Sequence, residues 1–231
     1  MRPPTLLFAF GLATAADLVS LAFGYGPGHT LAKPLLMPLL AAWAARRGAP
    51  RLLVAALLCG WGGDVLLLSD ADPAFLAGMA CFAAGHICYL TLFLRGPAFP
   101  GTGPGRNGRP RARALVLAPC YAAALITTVA LLWPDLPPDL RVPVAGYSTL
   151  LTATAYTAAA RSGPVAGAGG VLFLLSDTLI ATGVADWPQL PRPDLWIMLT
   201  YAAAQFLLAR GTLGERTAPP RAHREVAPTT P

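Results

Sequence analysis

Residues 52–69 read LLVAALLCGWGGDVLLLS, an apolar run broken by one ionisable side chain, Asp64. A run of that length fits the roughly 30 Å hydrocarbon layer of a bilayer once it is coiled at about 1.5 Å per residue. Inside a bilayer the backbone must hydrogen-bond to itself, so the run becomes a helix. The same pattern repeats outward in both directions, near 5–23, 30–45, 74–94, 114–133, 142–160, 165–184 and 194–210. Breaks rich in Gly, Pro or charge separate the runs, such as Gly24 to Gly28, Arg46 to Arg51 and Pro134 to Arg141. The expected fold is therefore all-α: a polytopic membrane bundle of eight transmembrane helices. Pro34 and Pro38 predict local kinks in the second helix.

Composition agrees. The 231 residues are 55% hydrophobic and 12% charged, and a soluble domain needs about twice that charge to cover its surface. A net charge of +6 does not point to nucleic acid, because the arginines sit in short connections and tails and form no patch on a soluble fold. They read as topology signals. With the N-terminus inside, fourteen of the seventeen basic residues fall on the cytoplasmic side, Arg141 and Arg192 fall on the other, and Lys33 lies within a span. One missed helix would invert every later connection, so this asymmetry supports eight spans with cytoplasmic N- and C-termini. Ala13-Thr14-Ala15 resembles a small-residue cleavage site, but the apolar run continues to Phe23, and an uncleaved first span is expected. Residues 1–212 should form one domain, with a flexible Gly/Pro/Arg loop at 96–113 and a disordered tail at 213–231. Arginine-heavy, alanine-rich usage fits a GC-rich bacterial genome, hence a cell membrane that is the bacterial inner one.

Five ionisable residues stand inside the apolar runs: Asp17, Lys33, Asp64, His86 and Asp177. Each costs about 2.5–3.5 kcal/mol at mid-bilayer on insertion scales, so such residues mark function or a paired partner. The three aspartates each lie about 12–13 residues from the cytoplasmic start of their span, roughly 18–20 Å deep, and a matching depth lets them converge on one cavity. Tyr89 follows His86 at i+3, on the same helix face. A lone polar residue in a membrane helix also serves as interhelical glue, worth roughly 0.6–2 kcal/mol. For Asp17 both readings stand. Gly60, Gly62 and Gly63 precede Asp64, and Gly167, Gly169 and Gly170 precede Asp177. They are expected to let helices pack closely.

At these residues the chain resembles the YhhN-like lysoplasmalogenase family of multi-span membrane proteins. The matching pieces are Lys33-Pro34-Leu35, Gly63-Asp64-Val65-Leu66, Gly78 and Phe82 before Gly85-His86-Ile87-Cys88-Tyr89, Phe173 before Ser176-Asp177-Thr178-Leu179, and Tyr201 with Gln205. The resemblance covers spans two to eight. It implies hydrolysis of the vinyl ether bond of a lysophospholipid, the lysoplasmalogen, to a fatty aldehyde and glycerophosphoethanolamine or glycerophosphocholine. Asp64 and Asp177 match the family's proposed catalytic aspartates. Lys33, His86, Tyr89, Ser176, Tyr201 and Gln205 are the expected substrate-binding residues.

Vinyl ethers hydrolyse by protonation at carbon, and water then captures the oxocarbenium ion. Two carboxyls in different protonation states suit this chemistry, since a desolvated carboxyl can hold a proton at neutral pH. One aspartate would be the general acid and the other would stabilise the cation and orient water. Lys33 would anchor the phosphate as a point charge. No cofactor and no metal is called for, and the partners are the lipid substrate and the surrounding membrane lipids. Two other classes remain: a small proton-coupled transporter, which also uses intramembrane Asp, His and Lys, and a non-catalytic lipid-binding membrane protein.

Overall fold

The computed structural model describes residues 2–69, 71–96 and 109–217. These form eight helices: α1 (Pro3–Phe23), α2 (Gly26–Arg46), α3 (Arg51–Leu66), α4 (Asp72–Arg95), α5 (Arg109–Leu132), α6 (Pro138–Arg161), α7 (Gly163–Val184) and α8 (Pro193–Thr217). Prolines stand in the first turn of α1, α2, α4, α6 and α7, where the missing N–H costs nothing. Gly24 ends α1 in the left-handed region at φ 68° and donates to Leu21, while the Tyr25 N–H reaches Ser20. α2 runs on through Pro34 and Pro38. α8 continues to Thr217, past the boundary expected at 212. Most of the expected loop, at 97–108, and of the expected tail, at 218–231, lies outside the described residues.

Among the described residues four helices are long and apolar enough to cross a membrane: α1, α4, the Ala114–Leu132 part of α5, and α7. Together they mark a multi-pass membrane protein.

Short connections make consecutive helices antiparallel neighbours, and α1 to α4 pack in sequence order. The order then skips. α4 packs against α6, the chain proceeds through α7 to α8, and α8 returns to α1 and α2. Seven helices thus close a ring, with α5 outside it, on α6. Leu36, Met37, Leu40, Leu53, Leu57 and Leu208 are completely buried within the ring.

Arginines finish several helix ends. Arg161 donates to the carbonyls of Phe93 and Leu94 at the end of α4. Arg192 donates to Leu21 at the end of α1, and Arg141 to Pro134 and Leu136. Cations satisfy carbonyls left over by a helix C-terminus and complement its dipole. This accounts for Arg192 on the arginine-poor end of the bundle, while Arg141 at that end holds the α5–α6 connection.

Candidate functional site

Asp17, Asp64 and Asp177 stand 14, 13 and 14 residues after the starts of α1, α3 and α7. All three helices run in the same direction, so the carboxyls share one level, roughly 20 Å from the arginine-rich end. Asp64 and Asp17 are 2% and 0% exposed, and Asp17, Lys33 and Asp177 all lie within electrostatic range of Asp64.

Around Asp64 a relay of hydrogen bonds crosses three helices. The Tyr89 hydroxyl donates to Gln205 Oε1 (2.7 Å), Gln205 Nε2 donates to the Tyr201 hydroxyl (3.4 Å), and Tyr201 donates to Asp64 Oδ2 (2.8 Å). Every member is buried. The approach is close because α3 carries no side chain at Gly60: a Cβ there would meet the Tyr201 hydroxyl at 3.0 Å and Gln205 Nε2 at 3.1 Å. At Gly63 a Cβ would fall 2.5 Å from the Phe82 ring. These glycines, expected to serve helix contact, make room for the side chains of the site.

Around Asp177 a second network forms. The Tyr147 hydroxyl donates to Asp177 Oδ2, and His86 Nε2 lies 3.3 Å from the same hydroxyl. A hydroxyl has one proton to give. With that proton on Asp177, Tyr147 accepts from a His86 Nε2–H, which leaves Nδ1 as the bare acceptor. His86 Nδ1 is indeed buried without a partner. Aromatic rings join the two networks: His86 lies 4.6 Å from Phe173 and 5.6 Å from Tyr147, and Phe82 and Phe173 meet Tyr201 edge-on at 5.9 and 5.5 Å.

The two aspartates differ in access. Asp177 and Tyr147 line a cavity of about 70 Å³ between α4, α5, α6 and α7, whose other walls include Met79, Phe82, Leu125, Leu151 and Leu174. That volume is several times the ~10–15 Å³ that holds one water. Asp64 does not line the cavity.

The remaining expected residues take varied positions. Lys33 is buried on α2, on the Asp64 side of the ring. The Ser176 hydroxyl donates to the Ile197 carbonyl of α8 (3.1 Å), a bond that ties α7 to α8. Asp17 Oδ1 bonds His29 Nδ1 at 2.7 Å, and its Oδ2 is buried without a partner. Among the described residues no three metal-ligating side chains converge.

Sequence reading missed Tyr147 and His29. A signal existed for Tyr147: it stands 9 residues into α6 and Tyr201 stands 8 residues into α8, two helices that start from the same end. A matching depth among the charged residues alone does not reach it.

Comparison with known families matches residues 28–212 to the YhhN family. The chain is 36% identical over 166 residues to human lysoplasmalogenase TMEM86B, covering 72% of this chain and 65% of that protein. It is 37% identical over 174 residues to the pig protein of the same name, covering 75% and 69%. It is 32% identical over 240 residues to a lysoplasmalogenase of Mycobacterium tuberculosis, covering 95% and 85%. The alignment thus spans just under two thirds of the human relative's length. No solved structure matches the chain.

Proposed function

The chain belongs to the YhhN family, and from that premise we propose that it is a membrane-embedded hydrolase that cleaves the vinyl ether bond of lysoplasmalogens. The observation that carries this reading is a half-buried carboxyl, Asp177, held by Tyr147 on the wall of a largely apolar cavity, with a second, buried carboxyl, Asp64, in electrostatic range. The relatives named lysoplasmalogenase support the substrate.

The reaction adds water across the linkage. Asp177, protonated, donates to the vinyl carbon remote from oxygen, giving an oxocarbenium ion and a carboxylate. Water attacks the cationic carbon, and the Asp177 carboxylate takes back a proton, so one group serves as acid and then base. The hemiacetal collapses to a fatty aldehyde and a glycerophospho-alcohol. Asp64, ionised, stabilises the passing positive charge from beyond the Phe82 and Phe173 rings. Tyr147 holds Asp177 in place, and His86 holds Tyr147. Lys33, on the Asp64 side, supplies a positive charge for the substrate phosphate.

All eight helices cross the membrane in this reading, with both termini cytoplasmic and the membrane that of a bacterial cell. The four other helices also carry polar site residues: α2 holds His29 and Lys33, α3, shorter at 16 residues, holds Asp64, α6 holds Tyr147, and α8 holds Tyr201 and Gln205. Their polar atoms face the ring interior, so these residues are no obstacle to spanning.

The test is direct. Purified protein in detergent, where no gradient can exist, should release fatty aldehyde from a lysoplasmalogen. Asp64→Asn and Asp177→Asn should insert normally and release none. A wild-type protein without aldehyde release ends the hydrolase reading, and normal turnover by either variant ends the mechanism.

A further inference from the structure

The cavity at Asp177 is lined from α4 by Phe75, Met79 and Phe82 and from α5 by Leu125 and Thr128. Yet α5 packs on α6 and touches α7, with hardly any contact to α4. Two helices that wall the same cavity without packing on each other leave a cleft between them. α5 also presents Leu115, Val116, Ile126 and Leu131 outward, so the cleft opens within the apolar belt of the bundle. The cavity extends along the helices from Phe75 and Val184, near the arginine-poor end, to Phe82 and Leu174. Seven residues of α4 separate Phe75 from Phe82 and ten of α7 separate Leu174 from Val184, a length of roughly 10–15 Å.

We infer that the cleft between α4 and α5 is a lateral portal: a substrate dissolved in the bilayer passes its aliphatic chain through it and lays that chain along Met79, Leu125 and Leu151, its first carbons beside Asp177. The dimensions fix the occupant. A helix of a second protein is about 10–12 Å across with its side chains, nearly as wide as this cavity is long, whereas one unbranched chain lies along it lengthwise. The walls are mostly apolar, with Thr128, Ser148, Thr152 and Thr178 among them, and favour an aliphatic chain over a polar solute. The one carboxyl, with the Tyr147 hydroxyl, stands where the polar end of such a chain would stop. This portal deepens the hydrolase reading and rests on it for the identity of the reacting carbons. The chain site itself needs only a single-chain amphiphile.

Full-length protein should be tested with a saturated alkyl lysophospholipid, which has no vinyl ether to cleave, alongside a lysoplasmalogen. Leu125→Trp fills the portal wall; Ile126→Trp adds the same bulk one residue away on the lipid face of α5, where Ile126 is 66% exposed. Leu125→Trp should weaken binding of the alkyl lipid at least tenfold, while Ile126→Trp changes it less than twofold. A chain-borne diazirine on the alkyl lipid should label wild-type peptides of α4 and α5, which keeps the test independent of any variant's folding. Unchanged binding by folded Leu125→Trp, or labelling confined to other helices, overturns the portal. If the wild type binds the alkyl lipid through this cleft but releases no aldehyde, the hydrolase reading fails and the portal stands. If it releases aldehyde and folded Leu125→Trp does so equally, the portal fails alone.

Discussion

Removing one oxygen from Tyr147 is the sharpest probe of the site. Tyr147→Phe keeps the ring, and with it the edge contact to His86 at 5.6 Å and the wall of the cavity. It deletes the hydroxyl that donates to Asp177 and stands 3.3 Å from His86 Nε2. A hydrogen bond to a charged group contributes about 1.5–3 kcal/mol. In the mechanism proposed here the carboxylate appears as the proton leaves, so the bond is stronger in the transition state than before it and its loss falls on kcat. At about 1.4 kcal/mol per factor of ten, kcat should drop by about 10- to 150-fold. KM should stay within a few-fold, because the chain contacts are untouched. The assay is steady-state aldehyde release in detergent, with thermal unfolding as the control for structure. Tyr156→Phe is the matched control: its hydroxyl, on the same helix, reaches the Ala114 carbonyl at 3.4 Å outside the network. A folded Tyr147→Phe with kcat within twofold of wild type would remove Tyr147 from the mechanism and leave Asp177 without its support.

Other expectations are more local. Lys33→Ala should raise the apparent KM for a phosphate-bearing substrate more than it lowers kcat; an unaltered KM takes Lys33 out of headgroup binding. Gly63→Ala places a methyl 2.5 Å from the Phe82 ring, which is itself edge-on to Tyr201. Overpacking of this kind costs about 1–3 kcal/mol, so the detergent melting temperature should fall and activity with it. Equal melting would mean that Phe82 swings aside freely.

The helices were legible because hydrocarbon thickness imposes a length on every span, and Gly, Pro and Arg punctuate the ends. Asp64, His86, Tyr89, Tyr201 and Gln205 were legible as polar atoms in apolar runs or as pieces of a family pattern. Their pairing was not. A helix without one dominant hydrophobic face gives no signal to fix its rotation, so in α6 only the depth shared with Tyr201 sets Tyr147 apart from Tyr156. Neighbour order was hidden too: sequence adjacency sets α5 beside α4, but α6 takes that place, and the cavity arises from that displacement. Ser176, adjacent to Asp177, spends its hydroxyl on the Ile197 carbonyl, because consecutive helical residues point about 100° apart.

Lipid tails are as apolar as leucine, so helices in a bilayer gain little hydrophobic drive to associate, and interhelical hydrogen bonds supply part of the cohesion at about 0.6 kcal/mol each. Here those bonds are the site. Tyr201 to Asp64 joins α8 to α3, Tyr89 to Gln205 joins α4 to α8, and Tyr147 to Asp177 joins α6 to α7. Any substitution of these residues therefore acts on assembly as well as on the proposed chemistry, and the choice of replacement decides what is learned. Asparagine at 64 or 177 keeps an oxygen to accept the tyrosine proton while removing the charge and the carboxyl proton. Alanine removes the acceptor as well and strands a buried hydroxyl, at about 1–3 kcal/mol. If the aspartates are chemical, Asn and Ala variants should be equally inactive and only Ala should melt early. If they are glue alone, Asn should retain activity and Ala should lose it in step with stability.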